Sequence, residues 1–248
     1  MALFEARHLH KRFGDQVVLE EVNLSFPEGR LSGIMGPNGA GKTTCFNLLT
    51  GRYKPDRGQV LFAGEDITGL PPRAIARRGV SRSFQIMNLF DDYTAIENIL
   101  IALPEVRDRG FNVVAQVIGD EAVLGKAMVV LERVGLAGRE WEPARALSYG
   151  ERRALEIGVA LATEPRILFL DEPTSGLGSA GTARLAELIA GLKRDVTIVV
   201  IEHDMRFLFG LADWISVLHW GQVIAEGRPD ELRRNKWVQA SNLGQLAT

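Results

Sequence analysis

The run Gly36-Pro-Asn-Gly-Ala-Gly-Lys-Thr43 limits what this chain can fold into, because it fits the pattern G-x-x-x-x-G-K-T between two apolar segments. Before it lies LSGIM, Leu31–Met35, which reads as a buried strand; after it comes TTCFNLLTG, a helix stopped at Gly51. A strand, a glycine-rich loop and a helix in that order commit the chain to an α/β core. The glycines let backbone N–H groups wrap phosphate oxygens, Lys42 brings a positive charge to the β and γ phosphates, and Thr43 offers a hydroxyl to Mg²⁺. Gly36, Pro37, Asn38, Gly39, Ala40, Gly41, Lys42, Thr43 and Thr44 are therefore the candidate nucleotide contacts.

The remainder of the chain supplies a scaffold of matching type. Short apolar stretches in the first thirty residues, VVLEEVNLSF at Val17–Phe26 among them, end at Pro27-Glu-Gly29 and predict antiparallel strands. Pro55-Asp-Arg-Gly58 predicts a turn before the strand QVLFAG. Thr94 and Glu97 have the spacing of a capping box, so a helix is expected to start there and to bury Ile96, Ile99, Leu100 and Leu103. From Thr94 to about Thr163 the pattern is mostly helical, as of a helical lobe inserted into a sheet. The continuously apolar ILFL, Ile167–Leu170, and IVVI, Ile198–Ile201, predict central parallel strands covered on both faces. Between them Leu185, Leu188, Ile189 and Leu192 follow helical spacing. WISVLHWGQVIAEG then predicts a hairpin turning at Trp220-Gly221, followed by a short helix at PDELRRN and an irregular tail.

Two further motifs carry chemistry. In ILFLDE the strand delivers Asp171 to its carboxyl end, where α/β sheets place their ligands, so Asp171 is expected to hold Mg²⁺ directly or through water. In LSYGE, Ser148 and Glu151 again have capping-box spacing, and the helix they start offers free amides and a dipole to an anion. These motifs, with His203 closing TIVVIEH, stand in the order and spacing of an ABC-type ATP-binding cassette, and the resemblance covers nearly the whole chain.

The resemblance implies a P-loop (RecA-like) α/β core, an antiparallel β-subdomain and an inserted helical lobe in a single domain spanning 1–248. The core with its β-subdomain would occupy 1–93 and 164–235, the helical lobe 94–163 and a tail 236–248. It implies further that Glu172 polarises the attacking water, that His203 contacts the γ phosphate, and that Gln85 reaches Mg²⁺ and water from the hinge before the helical lobe. Phe13 would stack on adenine. Ser148 and Gly150 would face the γ phosphate of a second cassette, so that one subunit is an incomplete enzyme. The family commonly reads LSGGQ and, after the catalytic glutamate, S-G-L-D; here Tyr149, Glu151 and Gly178 depart from those runs.

MGPNGAGKTT, FNLLTGRYKPDRG, IARRGVSRSFQ, LFDDYTAIENIL, LSYGERRALEIGVALA, IEHDM and WVQASNLG are similar to the branched-chain amino-acid importer branch. That implies an ATPase using ATP and Mg²⁺, peripheral to the cytoplasmic face of the inner or plasma membrane. Its partners would be two permease subunits, a second cassette, either identical or related, and indirectly a periplasmic or extracellular solute-binding protein. Related cassettes serve urea, short amides or aromatic acids. Two other classes are open to the same motifs: a soluble ABC ATPase unconnected with transport, and a silent regulatory cassette. Against the first, the chain has neither a second cassette nor a long coiled-coil insertion; against the second, Lys42, Glu172 and His203 are all present.

Composition sets the outer bounds. With 248 residues, 46% of them hydrophobic, the chain can bury one full core. A formal net charge of -2 excludes the basic footprint of a nucleic-acid binder. No apolar run approaches the roughly 20 residues of a membrane span, and MALFEARHLHKRF lacks the apolar stretch of a secretory signal, so a cytosolic chain is expected. Cys45 has no partner for a disulfide and reads as a small packed side chain, with a lowered thiol pKa at the helix N-terminus as the alternative. Arg73, Arg77, Arg78 and Arg82 read as a solvated helix face, or a contact for headgroups or an acidic partner loop.

Overall fold

A computed structural model describes residues 2–83, 89–107 and 120–238, without the side chain of Trp237. Its described strands form two sheets. The smaller is antiparallel, in the order β2-β1-β4-β5, from β1 (Ala2–Phe13), β2 (Gln16–Pro27), β4 (Arg57–Phe62) and β5 (Glu65–Asp66). The larger runs β10-β9-β3-β8-β7-β6, from β3 (Leu31–Met35), β6 (Val80–Arg82), β7 (Ile167–Asp171), β8 (Thr197–Glu202), β9 (Trp214–His219) and β10 (Gln222–Gly227). All neighbours in it are parallel except β9 and β10.

The large sheet is apolar throughout its centre because both faces are covered. On β7, Ile167 and Phe169 belong to the core shared with the small sheet and the helix Lys42–Leu49. Leu168 and Leu170, one residue out of phase, belong to the core shared with the helices. β8 repeats the division, with Val199 and Ile201 on the first face and Ile198 and Val200 on the second. A period of two with apolar residues in both phases is what turns a strand into an uninterrupted apolar run. Phe169 is the hub of the first face: its ring centroid lies 5.1 Å from Phe4, 6.0 Å from Phe26 and 6.3 Å from Phe46. Each of these edge-on contacts joins a different element to the same strand.

Between β6 and β7 the described residues are helical, as expected, with helices Ala95–Ala102, Pro104–Arg107, Glu121–Arg133 and Tyr149–Leu161. Thr94 Oγ1 accepts from Glu97 N–H at 3.3 Å and Glu97 Oε2 accepts from Thr94 N–H at 2.7 Å, completing the predicted capping box. Ile96, Ile99, Leu100 and Leu103 are buried as their spacing predicts. The predicted amphipathic helix is Ser179–Leu192, with Leu185, Ile189 and Leu192 buried and Leu188 partly so. The hairpin turns at Trp220 (φ 46°) and Gly221 (φ 75°), two left-handed residues, as a two-residue turn between twisted strands demands.

One expectation changes. Arg73, Arg77 and Arg78 are exposed around the helix Pro72–Ala76, but Arg82 is not on that face. It lies on β6, where its guanidinium sits 5.1 Å from the Phe46 ring and donates to Thr50 Oγ1 at 2.8 Å. The strand turns alternate side chains inward, which a helical reading of the four arginines does not anticipate. Cys45 is fully buried, and loss of solvation pushes its thiol up to about 12, against any activation by the helix N-terminus. Of the tail 236–248, expected to be irregular, Lys236–Val238 forms a helical turn and the rest lies outside the described residues.

Truncation of Phe169 to Ala is expected to destabilise the fold by about 3–5 kcal/mol through a cavity bordered by three other rings. Urea unfolding of the two proteins measures it, and a loss under about 1 kcal/mol would contradict the central place given to that ring.

Candidate active site

The phosphate loop is shaped by its neighbours. A Cβ on Gly36 would lie 2.2 Å from Leu218 O, so the loop can leave β3 only if that residue is glycine. Gly41 has φ 97°, and a Cβ there would meet Leu19 Cδ2 at 2.8 Å. Gly221 N–H, at the hairpin tip, donates to Ala40 O at 3.1 Å and so pins the loop from the other side. The helix Lys42–Leu49 begins at Gly41 with no side-chain cap, which leaves its N-terminal amides available to an external anion. Pro37, Asn38 and Gly39 are at least partly exposed on the loop, Thr43 is exposed and Thr44 partly so on the first helical turn, and Ala40 is buried. Lys42 is buried, and its ammonium donates to Gly36 O at 2.8 Å and Pro37 O at 3.0 Å. Burial lowers its pKa, while Glu172, Glu202 and Asp171 together push the other way.

Register brings the second cluster to the same edge. Met35 pairs with Glu202, and Ile201 with Asp171, so β3, β8 and β7 end level with one another. Asp171 is buried; burial first and Glu172 second raise its pKa to about 6, against the pull of Arg82 and Arg153, with Glu202 adding to the rise. Glu172 follows in a left-handed conformation, φ 43°, that non-glycine residues seldom adopt, and its N–H donates to Ile201 O at 2.8 Å. His203 Nδ1 lies 3.6 Å from Glu172 Oε1 and 3.7 Å from Glu202 Oε2. Lys42, Asp171, Glu172 and His203 thus converge on one edge of the large sheet.

Two groups outside the expected set order this edge. Glu202 is fully buried, and its Oε1 accepts from Thr174 N–H at 2.9 Å and Thr174 Oγ1 at 2.5 Å. Its Oε2 accepts from His203 N–H at 3.1 Å. Arg153, also buried, pairs with Glu156 and donates to the carbonyls of Asp171 (3.2 Å), Glu172 (3.0 Å) and Pro173 (3.1 Å). The available signals were a carboxylate closing an apolar strand and an arginine-glutamate pair three apart on the buried face of a helix.

Ser148 caps the helix Tyr149–Leu161: Glu151 Oε2 accepts from Ser148 N–H at 2.8 Å and Ser148 Oγ from Glu151 N–H at 3.4 Å. Among the described residues, no hydrogen bond joins Ser148 or Gly150 to the phosphate loop. Gly150 lacks an internal steric reason to be glycine, since an added Cβ would meet only Leu177 Cδ2 at 4.0 Å. Phe13, at the end of β1, is 44% exposed, with Tyr53 edge-on at 5.4 Å and the Lys11 ammonium 5.3 Å from the ring. Gln85 lies outside the described residues, as do the positions 86–88 of the expected hinge.

Two predictions follow from these surroundings. The folded chain keeps the Cys45 proton to about pH 12, whereas an unfolded thiol releases it near its ordinary value of 9.0, so this group withdraws stability only as pH rises past 9.0. At pH 9 iodoacetamide should label Cys45 only after denaturant is added; labelling of the native chain at the unfolded rate would contradict its burial. Gly178, the N-cap of Ser179–Leu192, has no side-chain cap and nothing within 4 Å of an added Cβ. Gly178→Asp should therefore fold normally and gain about 0.5 kcal/mol from capping and the helix dipole, measured by urea unfolding; a loss of stability would contradict this reading.

The chain is similar to known proteins along nearly its whole length. The ABC transporter family matches residues 19–175. The high-affinity branched-chain amino acid transport ATP-binding protein LivG of Escherichia coli (strain K12) is 40% identical, over 98% of both chains. The crystal structure of the ADP conformation of MJ1267, an ATP-binding cassette of an ABC transporter, superposes with a TM-score of 0.86 at 30% identity, covering 98% of this chain and 99% of that one. A dimeric post-hydrolysis state of the cassette MJ0796, bound to ADP and Pi, gives a TM-score of 0.76 at 26% identity, covering 91% and 98%.

Proposed function

Since this chain belongs to the ABC transporter family, we propose that it is the ATP-hydrolysing subunit of an importer for branched-chain amino acids, working as a cassette dimer beneath two permease subunits. The observation that carries the catalytic reading is the convergence of Lys42, Asp171, Glu172 and His203 on one sheet edge beside an uncapped helix N-terminus. The solute assignment is supported by the 40% identity to LivG over 98% of both chains. The boundaries belong to the same reading: core and β-subdomain in 1–93 and 164–235, helical lobe in 94–163, tail in 236–248.

In this reading ATP lies along the phosphate loop with its adenine on the exposed face of Phe13. The amides of Gly39 to Thr44 and the Lys42 ammonium hold the β and γ phosphates. Thr43 and Asp171, one hydroxyl and one carboxylate, suit Mg²⁺, which takes few protein ligands and completes its shell with phosphate oxygens and water. Held there, the ion would neutralise charge on the transferring phosphoryl group. The same reading assigns Gln85, which lies outside the described residues, to that set. Glu172, less than a fifth exposed, orients the attacking water, and His203 holds the γ phosphate beside it. Attack in line on the γ phosphorus releases ADP and inorganic phosphate.

The open space above Gly150 and the exposed Ser148 are reserved for the γ phosphate of an opposing cassette. Membrane association comes through the permeases, as no helix among the described residues is long and apolar enough to cross a bilayer. A solute-binding protein delivers the amino acid on the far side, and the cassette works at the cytoplasmic face.

Glu172→Gln should keep ATP binding, lose at least about 100-fold in turnover and collect as an ATP-bound dimer on a sizing column. Wild-type hydrolysis by that variant would remove Glu172 from the chemistry. In cells lacking this chain, uptake of labelled leucine should return with the wild type and not with Glu172→Gln; unimpaired uptake without the chain would remove the solute assignment.

A further inference from the structure

We propose that Arg153 and Tyr149 are positioning residues that clamp the main chain of Asp171–Ser175 to the first turns of the helix Tyr149–Leu161, tying the Glu172 carboxylate to the element that serves the opposite nucleotide. The inference rests on the reading of Glu172 and Ser148 given above.

The guanidinium of Arg153 uses its fork in full. Nε donates to Pro173 O at 3.1 Å, Nη2 to Asp171 O at 3.2 Å and Glu172 O at 3.0 Å, and Nη1 pairs with Glu156. Three consecutive carbonyls are gathered by one buried side chain, a geometry that a lysine ammonium on its flexible stem does not reproduce. One of those carbonyls belongs to Glu172, whose left-handed φ of 43° needs fixing from outside. Ile201 O fixes its amide and Arg153 its carbonyl.

Tyr149 supplies the second jaw. Its hydroxyl donates to Ser175 O at 3.0 Å, and a Cβ on Gly176 would lie 2.7 Å from the Tyr149 hydroxyl oxygen. Gly176, at φ 78°, is therefore glycine for its backbone and for the tyrosine beside it. From the other side Glu202 accepts from the amide and hydroxyl of Thr174. The segment is thus strung between the sheet, through Glu202, and the helix, through Arg153 and Tyr149. A shift of Ser148 and Gly150 on a nucleotide in the opposite site moves these two anchors with the same helical turns and passes to Glu172 through its carbonyl. Tyr149 holds Ser175 three residues before Gly178, so an internal tie stands near the position where the family commonly has an aspartate.

The test compares purified wild type, Tyr149→Phe, Arg153→Lys and Glu172→Gln for ATP KM, kcat, Hill coefficient and thermal midpoint. Tyr149→Phe keeps the exposed ring and removes one hydrogen bond. It should leave KM within about twofold, lower kcat about fivefold and bring the Hill coefficient towards about 1. Arg153→Lys should lower kcat about 100-fold while nucleotide affinity stays within about threefold. The proposal is overturned if Tyr149→Phe leaves kcat and the Hill coefficient unchanged, or if KM rises in proportion to the loss of kcat. Should Arg153→Lys fail to fold, Tyr149→Phe decides alone. Wild-type hydrolysis by Glu172→Gln would instead overturn the assignment of Glu172, an outcome separable from both.

Discussion

The parallel pairing of β3, β8 and β7 is the constraint on which the rest depends. Met35 opposite Glu202 and Ile201 opposite Asp171 make three strands end together, and the chain leaves each end carrying a different chemical group. The phosphate loop leaves β3, Glu172 follows β7, and His203 follows β8. A shift of one residue in any of these pairings would reverse which face each strand presents to the two cores and carry its terminal group out of reach. Burial on both faces fixes the register, and the register aligns the chemistry.

That alignment concentrates charge where water is scarce. Glu172 and Glu202 both bear on the protonation of Lys42 and of Asp171 at the ends of these strands. Glu202 is accommodated because its two oxygens accept from Thr174 and from the amides of His203 and Asp204. Asp171, raised to about 6 chiefly by burial, is a carboxylate for which a cation is the natural counterpart. Glu202 and Arg153, both buried, thus order these strand ends through internal contacts.

The sheet and both capping boxes were legible in the residues because their signals are local. LSGIM before GPNGAGKT, ILFL before Asp171, and Ser148 three residues before Glu151 each state a structure within a few positions. What escaped depended on distant pairing. Arg82 reads as one of four surface arginines until β6 turns it over the Phe46 ring. Arg153 acts on carbonyls some twenty residues away, and its sequence neighbours give no hint of them. Tyr149, marked only as a departure where glycine is common, touches a loop that begins after β7.

The central claim is that each hydrolytic site is shared between two cassettes, with Glu172 from one and Ser148 and Gly150 from the other. Mixing Glu172→Gln protein with a Gly150→Arg protein tests it most directly. Each is inactive as a homodimer, whereas a mixed dimer holds one doubly altered site and one intact site. ATP hydrolysis should therefore rise on mixing to a substantial fraction of the wild-type rate, and a mixture no more active than its separate components would contradict the shared site.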